Sequence, residues 1–296
     1  MLELENVWKS YRVGALGSKR MTAVRDVSFT IAPGEVLSVV GESGSGKTTV
    51  GKMVLQLISV TRGTIRLGGE DITASGHAQR KEYYRRVQGV FQDPFSSYNP
   101  IFKADRVLET VRESFFPEVK RAEWGAKVER TLLSVGLDPS AVLRKYPHQL
   151  SGGQLQRMLI ARALLLDIEI LVADEIISML DASTRIDVLN LLGDLKERGL
   201  GVLFVTHDLS LANYISERVI IMRHGAVVEM GATGKVFGDP QHPYSRNLLA
   251  SVPQLHRRWS EDPVDLEELE PDGDRDVPPP PLREVNEGHW VASAAA

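Results

Sequence analysis

Apolar residues in this chain fall into two kinds of pattern. Some form short unbroken runs. Val36-Leu37-Ser38-Val39-Val40 follows Glu35, Ile170 to Ala173 precedes Asp174-Glu175, and Val202 to Val205 precedes Thr206-His207. Runs of this length, rich in β-branched residues, predict strands buried on both faces, as in parallel sheets. Elsewhere the apolar positions recur at helical spacing, over 49–58, 107–116 and 122–135. From 160 to 230 strand and helix alternate, as an α/β fold requires. The expected organisation is therefore an α/β core over 1–92 and 159–230. A helical subdomain over 93–158 is inserted into it, and an extension covers 231–296. From about Glu261 to Gly288 the extension is acidic, and Pro278 to Pro281 are consecutive prolines. That composition suggests an extended or disordered tail.

Composition changes this picture only by exclusion. The chain has 296 residues, enough for a full core and a smaller lobe. No stretch approaches the ~20 apolar residues of a membrane span. The acidic start Met1-Leu2-Glu3-Leu4-Glu5 reads as a first strand rather than a signal peptide. With no cysteine, disulfides and thiolate metal sites are out of reach. A net charge of −4 gives no electrostatic footprint for nucleic acid, so no nucleic-acid partner is expected.

The candidate chemistry starts where the first buried strand ends. Gly41-Glu42-Ser43-Gly44-Ser45-Gly46-Lys47-Thr48, followed by Thr49, matches the phosphate-cradling pattern G-x-x-x-x-G-K-[ST]. Its glycines let backbone N–H groups converge on one point, and the following helix presents its positive end there. A triphosphate suits this loop. Lys47 would reach its β- and γ-phosphates, and the Thr48 hydroxyl would ligate Mg²⁺. Later, Ser151-Gly152-Gly153-Gln154 opens another apolar-periodic helix. That is a second anion-attracting N-terminus in the same chain.

Leu150-Ser151-Gly152-Gly153-Gln154 resembles the signature sequence of the ATP-binding cassette (ABC) family. With the phosphate loop beside it, the resemblance covers nearly the whole chain. It implies an α/β P-loop NTPase core of the RecA-like kind with a mixed sheet, an inserted helical subdomain and an irregular C-terminal extension. It also implies a head-to-tail dimer with a second ABC ATPase, identical or different, in which Ser151, Gly152, Gly153 and Gln154 grip the partner's ATP. Asp174 would hold Mg²⁺ through water, Glu175 would act as general base on the attacking water, and Gln92 would sense the γ-phosphate and Mg²⁺. His207 matches the switch histidine at the γ-phosphate, and Asp181 matches the aspartate at the dimer contact. An aromatic residue near the N-terminus stacks on adenine in this family. Tyr11, at the end of the first strand, is the candidate and Trp8 the competitor. The family usually has Pro-Thr or Pro-Val after the catalytic glutamate, whereas Ile176 and Ile177 stand here. Loss of the proline is expected to loosen that turn.

Three further segments are similar to ATPases of oligopeptide/dipeptide-type importers: Gln92 to Pro100, Gln241-His242-Pro243-Tyr244-Ser245-Arg246, and Gly288 to Ala292. The cysteine cluster carried by many members of that group is absent. The resemblance implies a MgATP-hydrolysing motor subunit on the cytoplasmic face of the cell membrane. Its partners would be transmembrane permease subunits, served by an extracytoplasmic substrate-binding protein. Related importers carry oligosaccharides or nickel. The other classes are a non-transport ABC ATPase acting on DNA or ribosomes, and a nucleotide-binding regulatory subunit with little turnover. Because the tail lies beyond every catalytic motif, its removal after Ser260 is expected to leave ATP turnover largely intact.

Overall fold

The computed structural model describes residues 1–13, 19–73, 76–251 and 277–293. Residues 13–22, a stretch with Gly, Lys and Arg that reads as a hairpin loop, lie outside them at 14–18, and so does the acidic part of the tail up to residue 276. The chain forms two compact units, residues 1–75 with 203–296, and residues 76–202.

The first unit opens with a meander, β1 (Leu2–Val13) and β2 (Lys19–Ile31), then β3 (Val36–Val40) and α1 (Lys47–Val54). β4 (Arg62–Leu67) and β5 (Glu70–Asp71) complete an antiparallel sheet in the order β2-β1-β4-β5. Its inner face follows the period-two rule: Leu2 and Leu4 are buried opposite Ile31 and Phe29, while Glu3 and Glu5 turn outward.

The second unit contains α2 (His77–Arg86), β6 (Val87–Val90), α3 (Arg106–Phe115), α4 (Arg121–Ser134) and α5 (Pro139–Val142). It continues with α6 (Gly152–Leu164), β7 (Ile170–Asp174) and α7 (Ala182–Glu197). The expected helices over 107–116 and 122–135 are α3 and α4. Their buried stripes, Leu108 and Val111, then Trp124, Val128 and Leu132, carry the helical period. Both helices contact α6. β6 and β7 pair in parallel, with Val90 opposite Ala173.

The chain then returns through β8 (Gly201–Val205), α8 (Leu209–Ile215), β9 (Arg218–Arg223) and β10 (Ala226–Ala232). It ends with α9 (Thr233–Gly238), α10 (Pro243–Ala250), β11 (Leu282–Asn286) and β12 (His289–Ala292). The main sheet of the first unit runs β11-β12-β10-β9-β3-β8. β3 is parallel to β9, whereas β9, β10, β12 and β11 pair antiparallel, so the sheet is mixed.

The hairpin β11–β12 departs from the tail's compositional reading. Acid and proline dominate the tail on average, but His289 and Val291 alternate inward from Trp290 and Ala292. That short alternation finds the open edge of β10, with Glu229 opposite Val291 and Met230 opposite Trp290. The outer strand β11 is mostly exposed and carries the charged Arg283 and Glu284, which suits a sheet edge.

Candidate functional site

Each unit presents candidate residues at the carboxyl ends of its strands, and the second unit presents others at the starts of α6 and α7. In the first unit the phosphate loop leaves β3 at Gly41 and enters α1 at Lys47. Gly46 has φ +104°, and a Cβ there would lie 2.6 Å from the Ala23 carbonyl oxygen. Only glycine fits both the backbone and the space. Lys47 is 5% exposed. Its ammonium donates to the Gly41 and Glu42 carbonyls at 2.7 Å each, with Ser45 Oγ at 3.4 Å. The cation is thus held within the loop, where incoming phosphate oxygens would compete for its protons. Glu42, Ser43 and Gly44 are exposed, and Thr48 and Thr49 are half-buried.

Thr206, following β8, donates its N–H to the Val39 carbonyl at 3.2 Å. This sets His207 at the same strand edge as the loop, with its side chain exposed. Tyr11 lies on β1 opposite Met21, with the Lys9 ammonium 5.1 Å from its ring centre. Trp8 falls on the alternate face and lines a separate cleft of about 270 Å³.

In the second unit the parallel register of β6 and β7 carries Gln92 and Asp174 to one carboxyl edge. Asp174 is buried at the end of β7, and Gln92 is exposed two residues beyond β6. Glu175 adopts φ +51°, an uncommon conformation for a residue with a Cβ. Its carbonyl accepts both the N–H (3.1 Å) and the hydroxyl (2.9 Å) of Ser178. Ile176 and Ile177 are buried. Arg185 donates to the Leu180 and Ser178 carbonyls at 2.8 and 3.2 Å. This turn is therefore tied by side-chain hydrogen bonds and apolar burial where the family uses proline.

Ser151 is the N-cap of α6. Its hydroxyl accepts the Gln154 N–H at 3.2 Å, and Gln154 Oε1 accepts the Ser151 N–H at 2.9 Å. This reciprocal pair leaves the Ser151 hydroxyl proton for a further acceptor. A Cβ on Gly153 would lie 2.4 Å from Thr184 Cγ2, so glycine permits the close approach of α6 to the start of α7. Asp181 caps α7. The Ser183 hydroxyl and the Thr184 N–H hold its carboxyl well below the usual carboxylate range.

One contact was not anticipated. The Tyr244 hydroxyl accepts the backbone N–H of Glu42, within the phosphate loop, at 3.1 Å. Burial raises the Tyr244 phenol above its ordinary pKa, which keeps it neutral. The sequence marked Tyr244 only as part of a subfamily segment, and nothing in its spacing pointed to a loop some 200 residues earlier.

A family model described as ABC transporter matches residues 24–178. The chain belongs to the ABC transporter family. This ATP-binding cassette is an ATPase of the ABC type, and a second model, for the C-terminal region of oligopeptide/dipeptide transporters, matches residues 228–273. The cassette is 38% identical over 301 aligned positions to an oligopeptide transport ATP-binding protein, OppF, of Streptococcus mutans. That alignment covers 98% of this chain and 94% of the relative. OppF of Haemophilus influenzae is 39% identical over 79% of this chain and 70% of that protein. Among solved structures, a dimeric post-hydrolysis state of the ATP-binding cassette MJ0796 bound to ADP and Pi superposes with a TM-score of 0.70. It is 29% identical, with 79% of this chain and 99% of that chain covered.

Proposed function

We propose that this cassette is the motor subunit of an importer of oligopeptides or dipeptides. The match of residues 228–273 to the C-terminal region of such transporters carries this reading. It binds peripherally at the cytoplasmic face of the membrane, on permease subunits served by an extracytoplasmic substrate-binding protein. Among the described residues, no helix is long and apolar enough to cross a membrane.

In this reading Lys47 and the loop N–H groups bind the ATP phosphates, and Tyr11 stacks on the adenine. The Thr48 hydroxyl, the Gln92 amide oxygen and the Asp174 carboxylate are the hard oxygen donors that Mg²⁺ prefers, Asp174 acting through water. Bound magnesium supplies charge neutralisation for the phosphates. Glu175 accepts the proton of the attacking water, and His207 contacts the γ-phosphate. Ser151, Gly152, Gly153 and Gln154 serve the ATP held by a second cassette. The helical subdomain over 93–158 supplies the docking face. Support for that role comes from a groove of about 730 Å³ lined by Phe102, Arg106, Trp124 and Tyr146. Beside it, Ile101 is 77% exposed.

Purification of the tagged cassette from its own membranes, with identification of the attached subunits and uptake of a labelled oligopeptide, tests the proposal. The expected result is peptide-permease subunits and uptake that fails with Lys47→Ala. Subunits of an oligosaccharide or nickel importer, with peptide uptake unchanged, would overturn it.

A further inference from the structure

The backbone of Glu42 is a node of the phosphate loop. Its carbonyl accepts from the Lys47 ammonium at 2.7 Å and from the Ser45 N–H at 3.2 Å. Its N–H is taken by Tyr244 at 3.1 Å. The Tyr244 ring is fixed in turn. It packs in a core with Val40, Leu209 and Val236, and the Arg223 guanidinium stands 5.3 Å from its ring centre.

The hydrogen bonds continue away from the loop. Tyr244 lies in the first turn of α10, where its N–H is accepted by His242 Nδ1 at 3.1 Å. The N–H groups of Gln241 and His242 donate to the Glu229 carboxylate at 2.9 and 3.0 Å. Glu229 is fully buried, and His289 Nε2 lies 2.7 Å from its Oε1, the oxygen that also accepts from Gln241. His289 is 1% exposed on β12. A buried carboxylate is stable only when its oxygens are satisfied by donors. Here those donors come from the approach to α10 and from β12, so the pair fixes where α10 starts.

We infer that Tyr244 is a positioning residue for nucleotide binding, and that the buried Glu229–His289 pair sets its place. The Glu42 N–H shares one planar peptide with the Gly41 carbonyl, so Tyr244 holds the carbonyl that accepts from the Lys47 ammonium at 2.7 Å. A glycine-rich loop loses much conformational freedom when it closes on phosphates. Holding one of its peptides beforehand lowers that cost and tightens binding. The inference deepens the nucleotide-site reading and rests on it.

Tyr244→Phe removes the hydroxyl and keeps the ring. In the nucleotide-free full chain, amide hydrogen exchange at Glu42 should quicken about two- to tenfold, the worth of one hydrogen bond. MgATP affinity, measured by calorimetry, should fall by a similar factor while the melting temperature stays near wild type. His289→Leu should weaken MgATP binding similarly, and His289→Gln, which keeps an N–H donor, should restore it. The double variant Tyr244→Phe/His289→Leu should bind no more weakly than Tyr244→Phe alone, because both act through one path. Unchanged Glu42 exchange and unchanged MgATP affinity in Tyr244→Phe would overturn the inference. A wild-type chain that binds no MgATP would instead overturn the nucleotide-site reading, and exchange at Glu42 would still decide the Tyr244 contact.

Discussion

In the proposed function Lys47 and Glu175 carry different parts of the chemistry, so the two should fail differently. The Lys47 ammonium is nearly buried and held by two loop carbonyls. Without it, phosphate charge has no cation inside the loop. Lys47→Ala is expected to abolish ATP binding or hydrolysis, measured as turnover and as nucleotide retained on the protein. Turnover near wild type would remove Lys47 from the site. Glu175 stands at the end of β7 in a left-handed conformation, the kind of local strain that clusters at functional sites. Glu175→Gln keeps the shape but cannot accept a proton. Turnover should drop about 10²- to 10⁴-fold. ATP should stay bound, because Lys47 and Thr48 are untouched. A drop of less than about tenfold would show that Glu175 is not the dominant base. Attention would then turn to the Ile176–Ile177 turn.

Single elements of the fold support these residues. The Ser151–Gln154 capping box starts α6, and Ser151→Ala should cost about 1 kcal/mol of stability. Denaturant unfolding checks this, with an unchanged midpoint as the contrary result. Removal of the tail after Ser260 is expected to leave ATP turnover largely intact, and the terminal hairpin adds an expected cost in stability. A chain ending at Ser260 loses β11 and β12, exposes the edge of β10 and leaves Glu229 without His289. Losing a hydrogen bond to a charged group costs about 1.5–3 kcal/mol, and the apolar cover of the two strands goes with it. Truncation at 260 is therefore expected to lower the melting temperature by several degrees or more. Removal of 254–275 alone, which spares both strands, should not. Equal melting of the two deletions would refute the structural role of the hairpin.

At the scale of the whole molecule, the cassette bears two anion-attracting helix starts, α1 after the phosphate loop and α6 at Ser151. The structurally similar MJ0796 cassette was solved as a dimer. Ser151→Arg should spare MgATP binding by one cassette but block ATP-driven dimerisation, since a bulky cation would occupy the place that the proposed dimer gives to the partner's nucleotide. Size-exclusion chromatography on a Glu175→Gln background, with and without ATP, reads the result. A dimer peak unchanged by Ser151→Arg would count against a shared nucleotide site.

The sequence by itself determined the elements whose physics is local. The buried runs at 36–40, 170–174 and 201–205 became strands because β-branched runs flanked by polar breaks have few other ways to bury themselves. The phosphate loop, the strand-end acids and the capped start of α6 were readable for a similar reason: each is a contiguous segment whose chemistry needs a fixed spacing. Tertiary structure alone decided the support of that loop. Tyr244, Glu229 and His289 are scattered over the last third of the chain. Each is ordinary in its own segment, a tyrosine in a helix, a carboxylate in an apolar strand and a histidine after an acidic, proline-rich tail. They acquire a role only when β10 and β12 pair and α10 packs on β3, because hydrogen bonds depend on distance in space, which local patterning does not encode.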